Sequence, residues 1–439
     1  MNGSRAGAFA QPGDMWPVQL ATDGADPAEF AAAVVDEVRA RLARHPRRTA
    51  ASRNGSPAAL VERLTGLDPL YVVPALTHIA RSDSRTEDAE LVAMASAAVE
   101  QLRTPAPRAH RDLRGLPTEH PLDYDWRFDR PTRGVIIDAV HHVKPNRVLL
   151  LGCPTLAVDR RMPPVPTTLI DDNPALAVSD PSNLVRHHRV DILNQPLVTA
   201  GVEADCVVAD PPFYSDIVAA FLYAAAAGLR GGGHLFLVLP SRWARPAAST
   251  DADAALTLAH DLGFTMLDRR PDAARYVTPK FERATHHRLG LPGVPNRWRT
   301  ADLAQLTLSR RTLHAVPSSH SDRHLWHEVR LGEARWRIRV PATTDPNLSI
   351  GPDLLIDERP LVTVSRRDNA RCDANVFTDD SRAYRSSQPG VLLHLLRARS
   401  IGRDVTAAVA DLLGRPLAEQ ERATLDAVTS GLNRLLDSS

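Results

Sequence analysis

The strongest constraint on the fold is an apolar run that ends in an acid, two prolines and two aromatic residues. Cys206 to Ala209 are apolar throughout, which predicts a central parallel strand buried on both faces. Asp210 then falls at the carboxyl end of this strand, where open α/β sheets bind their ligands. Each proline lacks an N–H, so the carbonyl oxygens before them stay outside the ladder as acceptors for an amino group. The candidate catalytic residues, which include a stacking ring, are therefore Asp210, Pro211, Pro212, Phe213 and Tyr214.

Two apolar strands earlier in the chain form the pattern of a nucleotide-type cofactor site. Asn146–Leu151 runs directly into Gly152, and Thr167–Ile170 ends at Asp171 and Asp172. Strand, glycine turn, short helix, strand and acid is the order of a dinucleotide or S-adenosylmethionine half-site. The acid follows the glycine by roughly twenty residues, the spacing at which a carboxylate reaches a ribose hydroxyl. Because only one glycine is present and G-x-G-x-x-G is absent, nicotinamide binding is not supported.

The rest of this region continues the alternation of strands and helices. A third strand, Val185 to Asp191, is expected to bring Asp191 near an adenine ring. The central strand is followed by a helix that Gly231–Gly233 is expected to close, and then by the strand HLFLVLP. Phe264–Leu267 and Leu303–Ser309 are candidates for the last two strands, which often form an antiparallel edge. The pattern predicts an α/β, Rossmann-like sheet.

Changes in composition and in the hydrophobic pattern along the 439 residues divide the chain into four parts. Residues 1–24 are expected to be a flexible tail, and residues 25–104 a helical domain. Residues 120–312 hold the α/β domain, and residues 318–439 alternate like hairpins before ending in helices, which predicts an α+β domain. Helices are expected over residues 27–45, 70–79 and 87–102, and another from near Arg130 or Pro131.

Composition excludes several classes of protein. The net charge of +1 gives no global attraction to nucleic acid or membrane, so any polyanion site must be local. The three cysteines lack C-x-x-C spacing, and the adjacent histidine pairs lack a supporting carboxylate pattern, so no metal site is expected. No run of eighteen apolar residues and no apolar leader is present, which predicts a cytoplasmic protein without membrane contact.

Residues 269–339 carry about twice as many basic as acidic side chains, with aromatic residues between them. This pattern is typical of a groove that follows the phosphates of a nucleic acid, and a protein substrate could use it too. A solvated, arginine-rich surface gives the same pattern, because arginine is the dominant basic residue throughout the chain. Both interpretations stay open.

Four stretches together carry a family resemblance. They are DYDWRF with its following helix, LLLGCPTLA, LIDDNP and ADPPFY, and they match in order and spacing over residues 120–245. This part of the chain resembles the class I S-adenosylmethionine-dependent methyltransferases. It is most similar to the N6-adenine methyltransferases related to the eukaryotic elongation factor 1A lysine methyltransferases, which carry a DPPF motif. The resemblance implies a Rossmann-like core of seven strands and S-adenosyl-L-methionine as cofactor.

The same resemblance assigns roles to individual residues. The loop of Gly152, Cys153 and Pro154 would hold the methionine part of the cofactor, and Asp191 would lie on its adenine side. The acidic pair departs from the family pattern, so the ribose ligand is either Asp171 or Asp172. The DPPF segment from Asp210 would face the target amine.

The predicted function is an S-adenosylmethionine-dependent N-methyltransferase, with adenine N6 in nucleic acid as the first substrate and protein lysine as the second. A polyamine aminopropyltransferase using decarboxylated S-adenosylmethionine is an alternative, although the acid-poor 269–339 segment argues against it. A non-catalytic scaffold with a methyltransferase-like fold is another, against which the intact Asp210 and Asp171 speak. The sequence does not indicate the oligomeric state.

Overall fold

The computed structural model describes residues 26–44, 56–82, 89–105, 116, 126–173, 176, 184–312, 324–332, 334–341, 350, 354, 356–358, 371, 373–378 and 382–437. The predicted flexible tail over residues 1–24 lies outside the described residues, as do Asp123, Tyr124 and Asp125 of the predicted entry segment.

The N-terminal unit consists of helices. They are α1 (Pro27–Ala43), α2 (Pro57–Arg63), α3 (Pro69–Arg81) and α4 (Ala89–Arg103). In α1, α2 and α3 a proline occupies the first turn, and the preceding Asp26, Ser56 or Asp68 accepts a backbone N–H as the N-cap. The sequence predicted α1, α3 and α4. It missed α2, whose seven residues are too few to show a periodic pattern.

The central unit is built on an eight-stranded sheet. Its strands are β1 (Arg127–Phe128), β2 (Val148–Leu151), β3 (Thr167–Ile170), β4 (Val185–His188), β5 (Ala204–Ala209), β6 (Leu229–Pro240), β7 (Phe264–Val277) and β8 (Thr300–Leu308). They lie in the order β1-β7-β8-β6-β5-β2-β3-β4. β4, β3, β2, β5 and β6 run parallel, while β8 runs antiparallel to both of its neighbours, β6 and β7.

Without the two-residue β1, this order is that of the class I methyltransferase fold. The predicted Rossmann-like core of seven strands is confirmed. One local expectation was wrong, because Gly231–Gly233 does not close the helix before it. That helix ends at Gly228, and the three glycines lie within β6, where the pairing with β5 is irregular between Leu229 and His234.

Helices cover both faces of this sheet. They are α5 (Arg130–Val143), α6 (Pro154–Ala157), α7 (Ser215–Gly228), α8 (Ala248–Asp261) and α9 (Lys280–Arg288). Residues of α7 and α8 bury one face, and residues of α5 and α6 bury the other. Because side chains alternate along a strand, neighbouring residues of the strands contribute to opposite faces.

The helical unit is joined to the sheet by a segment between α9 and β8. Leu291, Val294 and Trp298 of this segment belong to the same buried cluster as the N-terminal helices. The indole of Trp298 is 0% exposed and donates its N–H to the carbonyl oxygen of Leu67 at 2.5 Å. Next to it, Arg299 pairs with Glu282 at 2.7 Å. The helical unit therefore completes its core with residues from far along the chain.

The C-terminal unit is α+β, as predicted. Its strands are β9 (His324–Leu331), β10 (Ala334–Pro341), β11 (Ile356–Glu358), β12 (Val376–Thr378) and β13 (Ala383–Arg385), in the order β11-β13-β12-β10-β9. Its helices are α10 (Pro389–Ser400), α11 (Val405–Leu413) and α12 (Glu419–Asp437). Of all the helices in the described ranges, none combines the length and apolar character needed to cross a membrane.

Candidate active site

Asp210 lies where β5 ends, at the carboxyl edge of the parallel strands. Its backbone N–H donates to the carbonyl oxygen of Leu151 on β2 at 3.0 Å, which continues the parallel ladder by one residue. Pro211 and Pro212 then end the strand because neither can donate to a ladder. The Asp210 side chain is half-buried and faces the side of the sheet covered by α5 and α6. The predicted position of this acid at a strand end is confirmed.

Tyr276 on β7 contacts this acid, and sequence reasoning did not identify it as a site residue. Its hydroxyl donates to Oδ1 of Asp210 at 2.5 Å. Burial raises the pKa of Asp210 to about 8, although the hydrogen bond from Tyr276 acts in the opposite direction. Burial and the neighbouring Asp210 carboxylate hold the pKa of Tyr276 well above its usual range. Asp210 is thus a half-buried acid with one carboxyl oxygen engaged by Tyr276 and with its pKa raised far above the ordinary value.

Aromatic rings pack against the ring of Tyr276. Phe128 stacks on Tyr276 with ring centroids 5.3 Å apart, and Trp126 meets Tyr276 edge to face at 5.6 Å. Phe213 packs against the same cluster. Tyr214 instead packs against the cluster on the α7 and α8 side of the sheet. Of the two predicted stacking rings, Phe213 is therefore the one that shares a face with Asp210 and Tyr276.

Gly152 follows β2 and lies against the Asp210 segment. It adopts a positive φ of 66°, and an added Cβ would lie 3.0 Å from the carbonyl oxygen of Asp210 and 3.2 Å from the ring of Phe221. Only glycine allows this close approach without strain. The glycine turn and the DPPF segment are therefore packed against each other, as two walls of one site require.

We expect Gly152→Ala to lower both stability and cofactor affinity. The left-handed backbone alone costs about 1 to 2 kcal/mol for a residue with a Cβ, and the contact with Asp210 adds to that cost. Gly290→Ala is the matched control, because Gly290 has a φ of 72° and nothing within 4 Å of an added Cβ. Thermal melts and cofactor titrations of both variants check the expectation. Equal losses in the two variants would contradict a role for the close approach.

The acids after β3 and β4 fit the hydroxyl groups of a ribose. Asp171 is half-buried, and its Oδ1 accepts the backbone N–H of Asn173 at 2.9 Å. Asp172 is exposed, and its pKa is raised by desolvation from the surrounding protein and then by the neighbouring Asp191 carboxylate. Asp191 accepts the N–H of Leu193 at 2.9 Å. Two adjacent carboxylates beside a tight glycine turn can accept hydrogen bonds from the ribose hydroxyl groups of an adenosine-type cofactor.

Cys153 plays no nucleophilic part in this arrangement. Its side chain is 0% exposed, and its Sγ lies 3.3 Å from the carbonyl oxygen of Leu151. Burial raises the pKa of the thiol well above its usual range, and the Asp210 and Asp171 carboxylates raise it further. A contribution to cofactor binding can come only from its backbone, at the start of α6. Within the described ranges, no group of three or more His, Cys, Asp or Glu is placed to hold a metal ion.

Many arginines of the 269–339 segment form ion pairs with acids of the same chain. They pair with acids of the same unit or of the helical unit. The pairs include Arg269 with Asp302, Arg270 with Asp268, Arg275 with Glu62, Arg299 with Glu282, and Arg335 with Glu328. Trp298, one of the aromatic residues of this segment, is fully buried. The predicted partner surface over this segment stays a prediction.

The strand order, with an acid at the end of the central strand and a glycine turn beside it, defines the class I methyltransferase fold. No protein-family model and no curated protein matches the chain. Among solved structures, the chain is similar to the branched-chain polyamine synthase from Thermus thermophilus in complex with N4-aminopropylspermidine and 5'-methylthioadenosine. The identity is 16%, the match covers 67% of this chain and 96% of that chain, and the TM-score is 0.41.

Two methyltransferases show weaker likeness. The N-methyltransferase NodS from Bradyrhizobium japonicum WM9, in complex with S-adenosyl-L-homocysteine, has 13% identity, with 42% of this chain and 90% of that chain covered and a TM-score of 0.27. The T. thermophilus 16S rRNA N2 G1207 methyltransferase RsmC, in complex with AdoMet and guanosine, has 17% identity, with 56% of each chain covered and a TM-score of 0.28. The assignment of the fold rests on the strand order.

Proposed function

We propose that the protein is an S-adenosylmethionine-dependent methyltransferase that acts on an amino group. The observation that carries this proposal is the Asp210 carboxyl group, which is held at the carboxyl end of β5 with Oδ1 engaged by Tyr276. Its second oxygen and the carbonyl oxygen of Pro211 are acceptors of the kind that an amine needs. Among the groups that methyltransferases modify, an amino group can donate a hydrogen bond to each of these two oxygens.

The cofactor would be held by residues of this chain along the carboxyl edge of β2 and β3. The backbone of Gly152, Cys153 and Pro154 would contact its methionine part, and Asp171 or Asp172 its ribose. Bound there, S-adenosylmethionine supplies a methyl group on a positively charged sulfur. The protein's share of catalysis is then to hold the amine in line and to exclude water.

Asp210 orients the amine and stabilises the charge that develops on its nitrogen. The carboxylate accepts an N–H hydrogen bond, which turns the nitrogen lone pair away from the acid. As the nitrogen gains a fourth bond it becomes positive, and the adjacent carboxylate stabilises this charge and can take up the released proton. With a pKa of about 8, Asp210 takes up this proton only in its ionised form, so the rate of methyl transfer should rise with pH up to about 8.

Adenine N6 in nucleic acid is the substrate that we favour, and protein lysine is second. The flat ring of Phe213, on the same face as Asp210, suits a planar base. A base in a duplex would have to be flipped out, at a cost of a few kcal/mol. Single-stranded nucleic acid is therefore the better substrate to try first.

The first test is calorimetric titration with S-adenosylmethionine. We expect micromolar binding by the wild type, at least tenfold weaker binding by whichever of Asp171→Asn and Asp172→Asn removes the ribose ligand, and near-normal binding by Asp210→Asn. The weakened variant identifies the ribose ligand. An absence of binding by the wild type would contradict the proposal.

A second assay then distinguishes the possible reactions. Transfer of a labelled methyl group is measured with single-stranded DNA, RNA and a lysine-containing protein as acceptors. Decarboxylated S-adenosylmethionine with spermidine is the parallel reaction. Methyl transfer to an acceptor that Asp210→Asn cannot modify supports the proposal, whereas transfer of an aminopropyl group alone would replace it with the polyamine reaction.

A further inference from the structure

A cleft of about 790 Å³ lies between the N-terminal helices and the sheet, apart from the site around Asp210. Six arginines and five acids line it. The arginines are Arg41, Arg44, Arg63, Arg242, Arg269 and Arg275. Their partners decide what the cleft can bind, because an arginine already paired with an acid has fewer donors left for a ligand.

The acids of the cleft are engaged within the protein. Asp272 accepts hydrogen bonds from the hydroxyl groups of Ser241 at 2.8 Å and Thr300 at 2.6 Å. The other acids pair with arginines of the cleft. The pairs are Glu37 with Arg41 at 2.7 Å, Asp302 with Arg269 at 2.9 Å, Asp253 with Arg269 at 3.6 Å, and Glu62 with Arg275 at 3.6 Å. Three arginines therefore pair with four of the five acids, and the lining as a whole carries six positive and five negative side chains.

The remaining arginines have no acidic partner within the described part of the chain. They are Arg44 at the end of α1, Arg63 at the end of α2, and Arg242 after β6. The guanidinium of Arg242 lies 4.6 Å from the ring centroid of Trp243, which fixes its plane. Thr65 adds a neutral donor, since it lines the cleft at 6% exposure and its Oγ1 has no hydrogen-bond partner. A buried hydroxyl without a partner points to a ligand that supplies one.

The cleft lies on the opposite face of the sheet from the proposed active site. Tyr276 belongs to the cluster on the α5 and α6 side, and its neighbour Arg275, which lines the cleft, alternates to the other face. On β8, Asp302 lines the cleft between Ala301 and Leu303, which both face the Tyr276 cluster. A ligand in the cleft would therefore not contact Asp210.

We propose that this cleft binds a phosphate group. Three guanidinium groups and a hydroxyl offer more donors than the two oxygens of a carboxylate accept, whereas a phosphate presents oxygens in several directions. Arginine is also the side chain whose planar fork matches phosphate oxygens. The phosphate group belongs either to a small phosphate compound or to the backbone of a nucleic acid. Both present negatively charged phosphate oxygens to the arginines.

The test is calorimetric titration of the full chain with pyrophosphate and, separately, with a short single-stranded oligonucleotide at low salt. We expect saturable binding that weakens about tenfold or more in Arg63→Ala and in Arg242→Ala, the usual effect of losing a hydrogen bond between charged groups. Arg39→Ala is the matched control. It removes an arginine of α1 that pairs with Asp36 and does not line the cleft, so its affinity should stay normal.

Thr65→Val keeps the shape of the side chain and removes only the hydroxyl group. We expect equal or higher thermal stability without ligand, because the variant removes a buried hydroxyl that makes no hydrogen bond, together with several-fold weaker pyrophosphate binding. Because this variant should fold normally, it tests the cleft even if an arginine variant is unstable. Asp210→Asn should bind pyrophosphate normally, because pyrophosphate carries no amine for Asp210 to hold, and this separates the cleft from the proposed methyl transfer.

The two probes distinguish the sources of phosphate. Binding of pyrophosphate alone identifies a site for a small phosphate compound, and binding of both, or of the oligonucleotide alone, with a steep loss on adding salt, identifies a site for a nucleic-acid backbone. The proposal is overturned if neither probe binds, or if binding is undiminished in Arg63→Ala, Arg242→Ala and Thr65→Val.

Discussion

Asp210→Asn is expected to lose methyl transfer by about a hundredfold or more and to gain stability at the same time. The loss follows because asparagine cannot take up a proton or carry the charge that offsets the developing ammonium, and positioned acid–base groups contribute about 10² to 10⁴ in rate. The gain follows because burial disfavours the charged carboxylate. Asparagine keeps the shape and the acceptor for Tyr276, so a loss of activity with a raised melting temperature separates a catalytic effect from a folding defect.

The gain in stability should depend on pH in a defined direction. Asp210 has a pKa of about 8 in the folded protein against an ordinary value of 3.8, so the folded state holds the proton over a range in which the unfolded chain has lost it. Below about pH 4 both states are protonated, and the variant should gain nothing. Its advantage over the wild type should grow as the pH rises and level off above pH 8, at several kcal/mol at most. Thermal melts at pH 4, 6 and 8.5 check this. A gain independent of pH would contradict the raised pKa.

Tyr276→Phe is the matched partner of that variant. It keeps the ring in the aromatic cluster and removes only the hydroxyl group that donates to Asp210. In the wild type this hydrogen bond lowers the pKa of Asp210. The pKa of Asp210 should therefore rise further, and the rate of methyl transfer should rise with pH through a higher midpoint than in the wild type. An unchanged pH–rate profile would show that Tyr276 does not act on Asp210.

Trp298→Ala is expected to have the largest effect on stability, about 3 to 5 kcal/mol, the usual cost of removing a large buried aromatic side chain. The indole fills the core of the helical unit and bonds the carbonyl oxygen of Leu67. Its loss leaves a cavity where the N-terminal helices meet the central unit. Urea denaturation should show a lower midpoint, and limited proteolysis should cut first within α1 to α4.

Two controls define the cause. Trp298→Phe keeps most of the apolar volume and loses the N–H to Leu67, so its loss should be clearly smaller. Trp126→Ala removes a half-buried tryptophan from the aromatic cluster near Tyr276 and should leave the proteolysis of the helical unit unchanged. Equal effects of Trp298→Ala and Trp298→Phe would show that the hydrogen bond, and not the packing, holds the units together.

Local patterns made most of the α/β fold predictable. β2, β3 and β5 are short, apolar and followed by a glycine or an acid, so both their existence and the position of Asp210 follow from neighbouring residues. The boundary between α7 and β6 did not, because three glycines usually end a helix and here lie within a strand, between the residues that pair with Ala204 and Cys206 of β5. Pairing with another strand, which the local sequence does not encode, decided that case.

Tyr276 and Trp298 could not be identified because their partners lie far away in the chain. Tyr276 reaches Asp210 across 66 residues, and Trp298 reaches Leu67 across 231. The first contact lies in the part of β7 beyond Leu267, where the sequence did not predict a strand. The partners of the arginines in residues 269–339 could not be predicted for the same reason. Composition gives the number of charges, but it does not show which distant acids, such as Glu62 of the helical unit, pair with them.

The packing of Trp298 into the helical unit has a consequence for the order of events during synthesis. Helices α1 to α4 leave the ribosome long before Leu291, Val294 and Trp298 exist. At 5 to 20 residues per second, the roughly two hundred residues in between take on the order of 10 to 40 seconds to make. During that interval the helices lack the part of their core that Leu291, Val294 and Trp298 supply, so nascent chains arrested before this segment should be the ones that chaperones hold.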